Sequence, residues 1–206
     1  MKFLNCRISI TQKVFSPRIE TEFWVERALR EIKKDKKFKF LDIFSGTGCM
    51  GISILKSFKK SQADFIDISR EAILQIKENL KKNKIDKKRY RVLQSDLFKK
   101  TNNLKYDYIF ANPPYVAQNR IKEVQKEVLK KDPHLALFSG KEGMDCIRKF
   151  VPQARKHLKK GGVIFMEFDP LQKKEIGEIL KREGFKFSFK KDQFKKYRWL
   201  KAELKN

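Results

Sequence analysis

Histidine is almost missing from this chain, and cysteine nearly so. Two histidines, His134 and His157, stand far apart in 206 residues, and the three cysteines, Cys6, Cys49 and Cys146, contain no C-x-x-C pair. That spacing supports neither a zinc ribbon nor a disulfide framework, so no metal site is expected and a reducing cytosol is the expected compartment. Long apolar runs are absent too: none approaches the roughly 18 residues that a membrane helix needs. The opening stretch MKFLNCRISITQK is broken by Asn5 and Arg7, a poor match to a secretory signal. A cytoplasmic protein without membrane contact is therefore expected. There is no internal repeat and no Pro-, Gly- or Ser-rich linker, which suits one domain.

Acid is the other shortage. Twenty-five Asp and Glu face 50 Lys and Arg, for a net charge of +25. The lysines are dispersed in runs such as KKDKK, KKNKIDKK and KKYRWLK, the pattern of solvated helix faces rather than of one binding stripe. Non-specific, salt-sensitive attraction to nucleic acid or the ribosome is expected from such a charge.

What is abundant is apolar: 40% of residues, 18 of them Phe. Strand-length apolar runs alternate with helical periodicity. Strands are expected near 38–43, 63–67, 90–94, 107–111 and 162–168, and helices near 20–33, 48–58, 69–83, 146–159 and 170–182. Nearly all-apolar strands alternating with helices imply a parallel sheet covered on both faces. The segments 185–189 and 197–204 follow each other without a helix between them, which predicts an antiparallel hairpin closing one edge. The expected fold is α/β: a Rossmann-like, doubly wound, mostly parallel seven-stranded sheet. A short β segment is expected over 1–16, ahead of a main domain over 17–206.

In such sheets ligands sit beyond the carboxyl ends of the strands. The first main strand ends in LDIFSGTGCMG, where Gly46, Gly48 and Gly51 form G-x-G-x-x-G between a strand and a helix. Glycines there permit a tight turn and close approach of backbone to a nucleotide. No Gly-Lys-Ser/Thr follows, so a P-loop is excluded. The next strand ends at Asp67, at the spacing where an acid takes both ribose hydroxyls. These features fit a nicotinamide dinucleotide and S-adenosylmethionine equally.

The strand at 107–111 separates them. It ends in Asn112-Pro113-Pro114-Tyr115. Proline fixes φ and restricts the residue before it, so two in succession make a stiff loop with carbonyls held in place. The Asn112 side-chain oxygen and the Pro113 carbonyl would each accept from one planar NH2 group, and Tyr115 would give that group an aromatic face. A weakly nucleophilic nitrogen held this way is aimed at an electrophilic methyl; a nicotinamide enzyme has no use for such a clamp.

NPPY behind DIFSGTG and DIS resembles the class I S-adenosylmethionine-dependent methyltransferases that modify planar nitrogens, both the adenine methyltransferases of nucleic acids and the glutamine methyltransferases of translation proteins. The flanks resemble the peptide chain release factor glutamine methyltransferases: SPRIETEFWVERAL at 16–29, and after NPPY the positions Pro133, Ala136, Leu137, Gly140, Gly143, Asp145 and Arg148. The resemblance spans nearly the whole chain. It implies an N-methyltransferase using S-adenosylmethionine and acting on the loop glutamine of Gly-Gly-Gln in a release factor. It further implies that Phe44, Ser45, Gly46, Thr47 and Gly48 hold the methionine part of the cofactor, with Asp42 and Asn112 among the cofactor-binding residues. Asp67 would take the ribose, and Asp96 and Leu97 would border the adenine. Asn112, Pro113, Pro114 and Tyr115 would bind the substrate amide, with Asn112, Pro113 and Tyr115 as the catalytic set. A monomer is expected. The alternatives are N6-adenine methylation of RNA or DNA, and a non-enzymatic RNA-binding relic of the fold.

The chain departs from that family's pattern in places. Phe44 stands where the loop often begins with Gly, which predicts a bulkier loop. The family's Glu-x-Gly-x-x-Gln becomes Glu167-Phe-Asp169-Pro-Leu-Gln172, and Asp169 before Pro170 reads as a helix N-cap with proline in the first turn. Little chain precedes Pro17, where family members carry a helical domain. Glu20 and Glu22 suit a helix N-terminus, Cys49 reads as a packing residue, and the long stretch 116–145 is expected to face substrate.

Overall fold

The computed structural model describes residues 1–11, 13–33 and 37–205. Gln12, within the expected N-terminal β segment, and residues 34–36 of the lysine-rich run lie outside the described residues. The elements run β1 (Lys2–Phe3), β2 (Cys6–Arg7), α1 (Ile19–Arg30), β3 (Lys39–Ile43), α2 (Cys49–Ser57), β4 (Gln62–Asp67), α3 (Arg70–Lys82), β5 (Tyr90–Gln94) and β6 (Tyr106–Ala111). They continue with α4 (Lys126–Lys131), α5 (His134–Leu137), α6 (Asp145–Lys156), β7 (Leu158–Glu167), α7 (Lys173–Arg182), β8 (Phe185–Lys191) and β9 (Tyr197–Leu204).

Seven strands form one sheet in the order β5-β4-β3-β6-β7-β9-β8. The pairs from β5 to β7 are parallel, while β9 lies antiparallel to both β7 and β8. The expected C-terminal hairpin is therefore present, and β8 is the outer edge. The alternation of side chains along a strand explains why both faces are covered. Phe40, Phe65, Phe110 and Phe165 pack with Trp24, Ile52, Leu55 and Ile76 on the side of α1, α2 and α3. Leu41, Ile66, Ile109 and Ile164 pack with Ile147, Phe150, Ile176 and Leu180 on the side of α6 and α7.

Helix boundaries follow local chemistry. Ser69 caps α3, its hydroxyl accepting from Ala72 N–H at 3.2 Å. Asp169 caps a 3-10 turn, Pro170–Gln172, that leads into α7; it forms a capping box with Gln172 and has proline in the first turn, as the sequence predicts. Helix α1 ends at Arg30, short of the expected 33. The larger difference is at β7, which begins at Leu158 rather than 162 and ends α6 at Lys156. Leu158 pairs with Tyr106 across a register shift, a tertiary pairing that the Gly161-Gly162 break in the apolar run conceals.

The N-terminal hairpin β1–β2 is sewn to α3. Asn79 accepts from Ser9 N–H at 2.8 Å and donates to the Thr47 carbonyl at 2.9 Å, while Gln75 accepts from Thr11 N–H at 3.0 Å. Phe3, Cys6 and Ile8 are buried in the same core as α1 and α2. No helix among the described residues is long and apolar enough to cross a membrane.

Candidate active site at the carboxyl end of the sheet

The strand order reverses between β3 and β6, whose neighbours lie on opposite sides, and a ligand crevice forms at such a point. A cavity of about 930 Å³ opens there. Its lining includes Phe44, Ser45, Gly46 and Thr47 after β3, Asp67 after β4, Asp96 and Leu97 after β5, and Asn112 to Tyr115 after β6. Asp42 and Gly48, also expected at the site, are not among the lining residues.

The β3–α2 loop is shaped by its own polar groups. The Ser45 hydroxyl donates to the Asp42 carbonyl at 2.7 Å and accepts from Ile66 N–H at 3.0 Å, tying the ends of β3 and β4 together. Gly48 has φ 75°, the left-handed region where L side chains are strained, and it starts α2. Gly46 has φ 53°, and a Cβ there would stand in the cavity, with Val14 at 4.0 Å its nearest neighbour. Gly51 serves packing: a Cβ would come within 2.3 Å of the Phe65 ring. Phe44 is held at φ 58° despite its side chain, and its ring meets Phe150 edge-on at 5.7 Å. The bulkier loop is thus seated by a core contact that glycine cannot make.

Asp42 lies behind this loop, fully buried. Its Oδ2 accepts from Gly51 N–H at 2.8 Å, and Oδ1 has no hydrogen-bond partner among the described residues. Burial pushes its carboxyl well up, against the pull of the Gly51 N–H. Asp67 is different: Oδ2 accepts from Gly46 N–H at 2.8 Å and Oδ1 from Ser69 N–H at 2.9 Å. Burial raises its pKa, and these N–H groups oppose the rise. Each oxygen keeps a lone pair for a further donor.

The Asn112-to-Tyr115 turn is braced from β7. The Tyr115 hydroxyl donates to Glu167 Oε1 at 2.8 Å, and Gln172 Nε2 donates to the Tyr115 carbonyl and to the Gly143 carbonyl, both at 2.9 Å. Tyr115 is thus held at its hydroxyl and at its backbone carbonyl. Glu167 is 1% exposed; burial pushes its carboxyl up, while bonds from Thr21, Trp24 and Tyr115 pull it back. Thr21, Pro17 and Arg18 also line the cavity, so the PRIETE segment borders it. Asp132 pairs with Arg18 and accepts from Ser16 N–H at 3.0 Å, tying the segment before α1 to the loop after α4. Of the long stretch 116–145, Val116, Val128 and the run from Lys130 to Leu137 line the cavity. The family resemblance of the PRIETE segment, residues 17–22, points to its bordering the site and so reaches Thr21, but sequence reading did not find Asp132, Glu167 or Gln172 as site residues. The only signal was their place in segments flanking the strand ends.

No cluster of three or more His, Cys, Asp or Glu able to hold a metal occurs among the described residues.

Residues 21–141 match the methyltransferase small domain. The release factor glutamine methyltransferase of Aquifex aeolicus is 33% identical over 183 residues, 89% of this chain and 64% of that protein. Its counterpart in Flavobacterium psychrophilum is 30% identical over 210 residues, 99% of this chain and 73% of that protein. The chain spans less than two thirds of the length of some of these relatives, 61% in Koribacter versatilis. Among solved structures, the 16S rRNA N2 G1207 methyltransferase of T. thermophilus superposes with a TM-score of 0.69 at 19% identity, covering 92% of this chain and 44% of that one. The ribosomal protein L11 methylase of Lactobacillus delbrueckii gives 0.66 at 20% identity, covering 94% and 82%. At these identities the structures speak for the fold alone. The sequence matches go further: the chain belongs to the methyltransferase small domain family and, within it, to the release factor glutamine methyltransferases.

Proposed function

We propose that this chain methylates the side-chain amide nitrogen of the Gly-Gly-Gln glutamine of a peptide chain release factor, using S-adenosylmethionine. The observation that carries the reading is the meeting in one cavity of the glycine loop, Asp67 and the Asn112-Pro113-Pro114-Tyr115 turn.

The residues present fit the cofactor. Asp67 keeps acceptor capacity on both oxygens for a ribose diol, and the space in front of Gly46 would be filled by any side chain there. The backbone from Phe44 to Thr47 would hold the methionine part, and Asp96 and Leu97 the adenine. When bound, S-adenosylmethionine supplies an electrophilic methyl on a sulfonium.

The chain's own part is positioning. Asn112 Oδ1 and the Pro113 carbonyl accept from the two N–H groups of a planar amide, and Tyr115 offers it a ring face. Orientation of this kind contributes on the order of 7–11 kcal/mol to lowering a barrier. Glu167 is not the base of this reaction, because its two oxygens already accept three hydrogen bonds away from solvent.

Calorimetry with S-adenosylmethionine, followed by a methyl-acceptor comparison, tests the reading. Release factor should take label; a form with its loop glutamine changed to alanine, and an adenine-containing oligonucleotide, should not. Label on the oligonucleotide alone would turn the reading to adenine methylation, and no cofactor binding at millimolar concentration would remove the enzyme altogether. Asn112→Ala should abolish transfer and leave cofactor affinity largely intact.

A further inference from the structure

Beside the proposed amide clamp runs a short chain of hydrogen bonds with a fixed direction. Glu167 Oε2, at the end of β7, accepts from Thr21 Oγ1 at 2.7 Å and from Trp24 Nε1 at 2.7 Å. Thr21 Oγ1 lies 3.4 Å from Asn112 Nδ2. The indole N–H can only donate, so the oxygen it meets must be an acceptor. That same oxygen takes the single hydroxyl proton of Thr21. Thr21 then has only lone pairs left, and the Asn112 atom that faces it must be the amide nitrogen. The Asn112 oxygen is thereby left as the free end of the amide, on a residue that lines the cavity.

We propose that Thr21 and Glu167 are positioning residues that fix the amide of Asn112 oxygen-outward, so that the Asn112–Pro113 clamp presents acceptors only and selects a glutamine over a glutamate. This rests on the function proposed above. A flipped Asn112 would present N–H donors to the substrate NH2, donor against donor, and would welcome a carboxylate instead. A site whose buried polar groups match one partner rejects the mismatched one strongly. Asn112 alone does not impose this, since its two ends are nearly isosteric; the direction comes from Trp24 through Glu167 and Thr21. Tyr115 completes the arrangement by donating to Glu167 Oε1 at 2.8 Å.

The test compares wild type with Thr21→Val, Thr21→Ser and Glu167→Gln. Valine keeps the volume and removes the hydroxyl, so Asn112 is free to turn. Its kcat on release factor should fall about 10- to 100-fold, the scale of a misplaced reacting group. Affinity for S-adenosylhomocysteine should not change. Serine should restore turnover to within about threefold of wild type, because it keeps the hydroxyl. Glu167→Gln should lose far less than Thr21→Val, because Trp24 forces the carboxamide oxygen into the Oε2 position. The decisive readout is binding, in the presence of S-adenosylhomocysteine, of release factor carrying Gln or Glu in its loop. Wild type should prefer Gln, and Thr21→Val should lose most of that preference. If wild type methylates release factor while Thr21→Val keeps both turnover and preference, the positioning role is refuted and the function stands. If wild type neither binds nor methylates the Gln loop, the function itself fails.

Discussion

Gly51 offers a quantitative test of how the glycine loop is seated. An added Cβ at Gly51 would lie 2.3 Å from Cε1 and 2.7 Å from Cζ of Phe65, and 2.8 Å from Asp42 Oδ2. Phe65 is fully buried in β4 and has nowhere to swing. Gly51→Ala should therefore cost about 1–3 kcal/mol in overpacking. Any shift of α2 away from the sheet also stretches the 2.8 Å bond from Gly51 N–H to Asp42, adding to the loss. Against this, alanine is favoured over glycine in a helix by about 0.8–1 kcal/mol.

Gly177 in α7 is the control. A Cβ there would meet Phe189 and Phe187 at 3.6 and 3.7 Å, ordinary contact distances. Gly177→Ala carries the same helical gain without the clash and should stabilise by roughly 0.5–1 kcal/mol. In a chain of this size each kcal/mol moves Tm by about 2–4 °C. Gly51→Ala should thus melt several degrees below wild type and Gly177→Ala slightly above it, with urea midpoints in the same order. Phe65→Leu, which trims the ring, should cost less in the Gly51→Ala background than alone, the non-additivity expected of neighbours. A Gly51→Ala protein as stable as Gly177→Ala, which carries the same helical gain without the clash, would refute the packing argument.

Three further outcomes are expected. Asp42 has a folded pKa raised well above 3.8 by burial, so its contribution to stability is fully present at low pH and is lost as pH rises from about 4 through the folded value; Asp42→Asn should flatten that decline in pH-dependent unfolding. Asp67→Ala should weaken S-adenosylmethionine binding at least tenfold by calorimetry, since about 1.4 kcal/mol of lost hydrogen bonding suffices. Phe44→Ala keeps the left-handed strain, at about 1–2 kcal/mol, and loses the Phe150 contact, whereas Phe44→Gly loses the contact and sheds the strain; in denaturant titration the alanine variant should be the less stable of the two.

The sequence by itself determined the layered sheet, because strand periodicity and apolar content decide which faces must be covered, and five strands could be read from Phe40, Phe65, Phe110 and their neighbours. It also placed local signals at the strand ends, the glycines at 46 and 48, Asp67 and the double proline, whereas the need for glycine at 51 comes from its distant partner Phe65. The Asp169 cap was readable because it too is local. The start of β7 was not, because Leu158 joins the strand through a partner, Tyr106, far away in the chain. Nor was the place of Asp42, which strand alternation turns towards α2 behind the loop. Only the tertiary structure brought Thr21, Glu167 and Gln172 to the Asn112 turn, because their roles lie in hydrogen bonds between elements, and the direction of such bonds is set by which donors and acceptors meet in space.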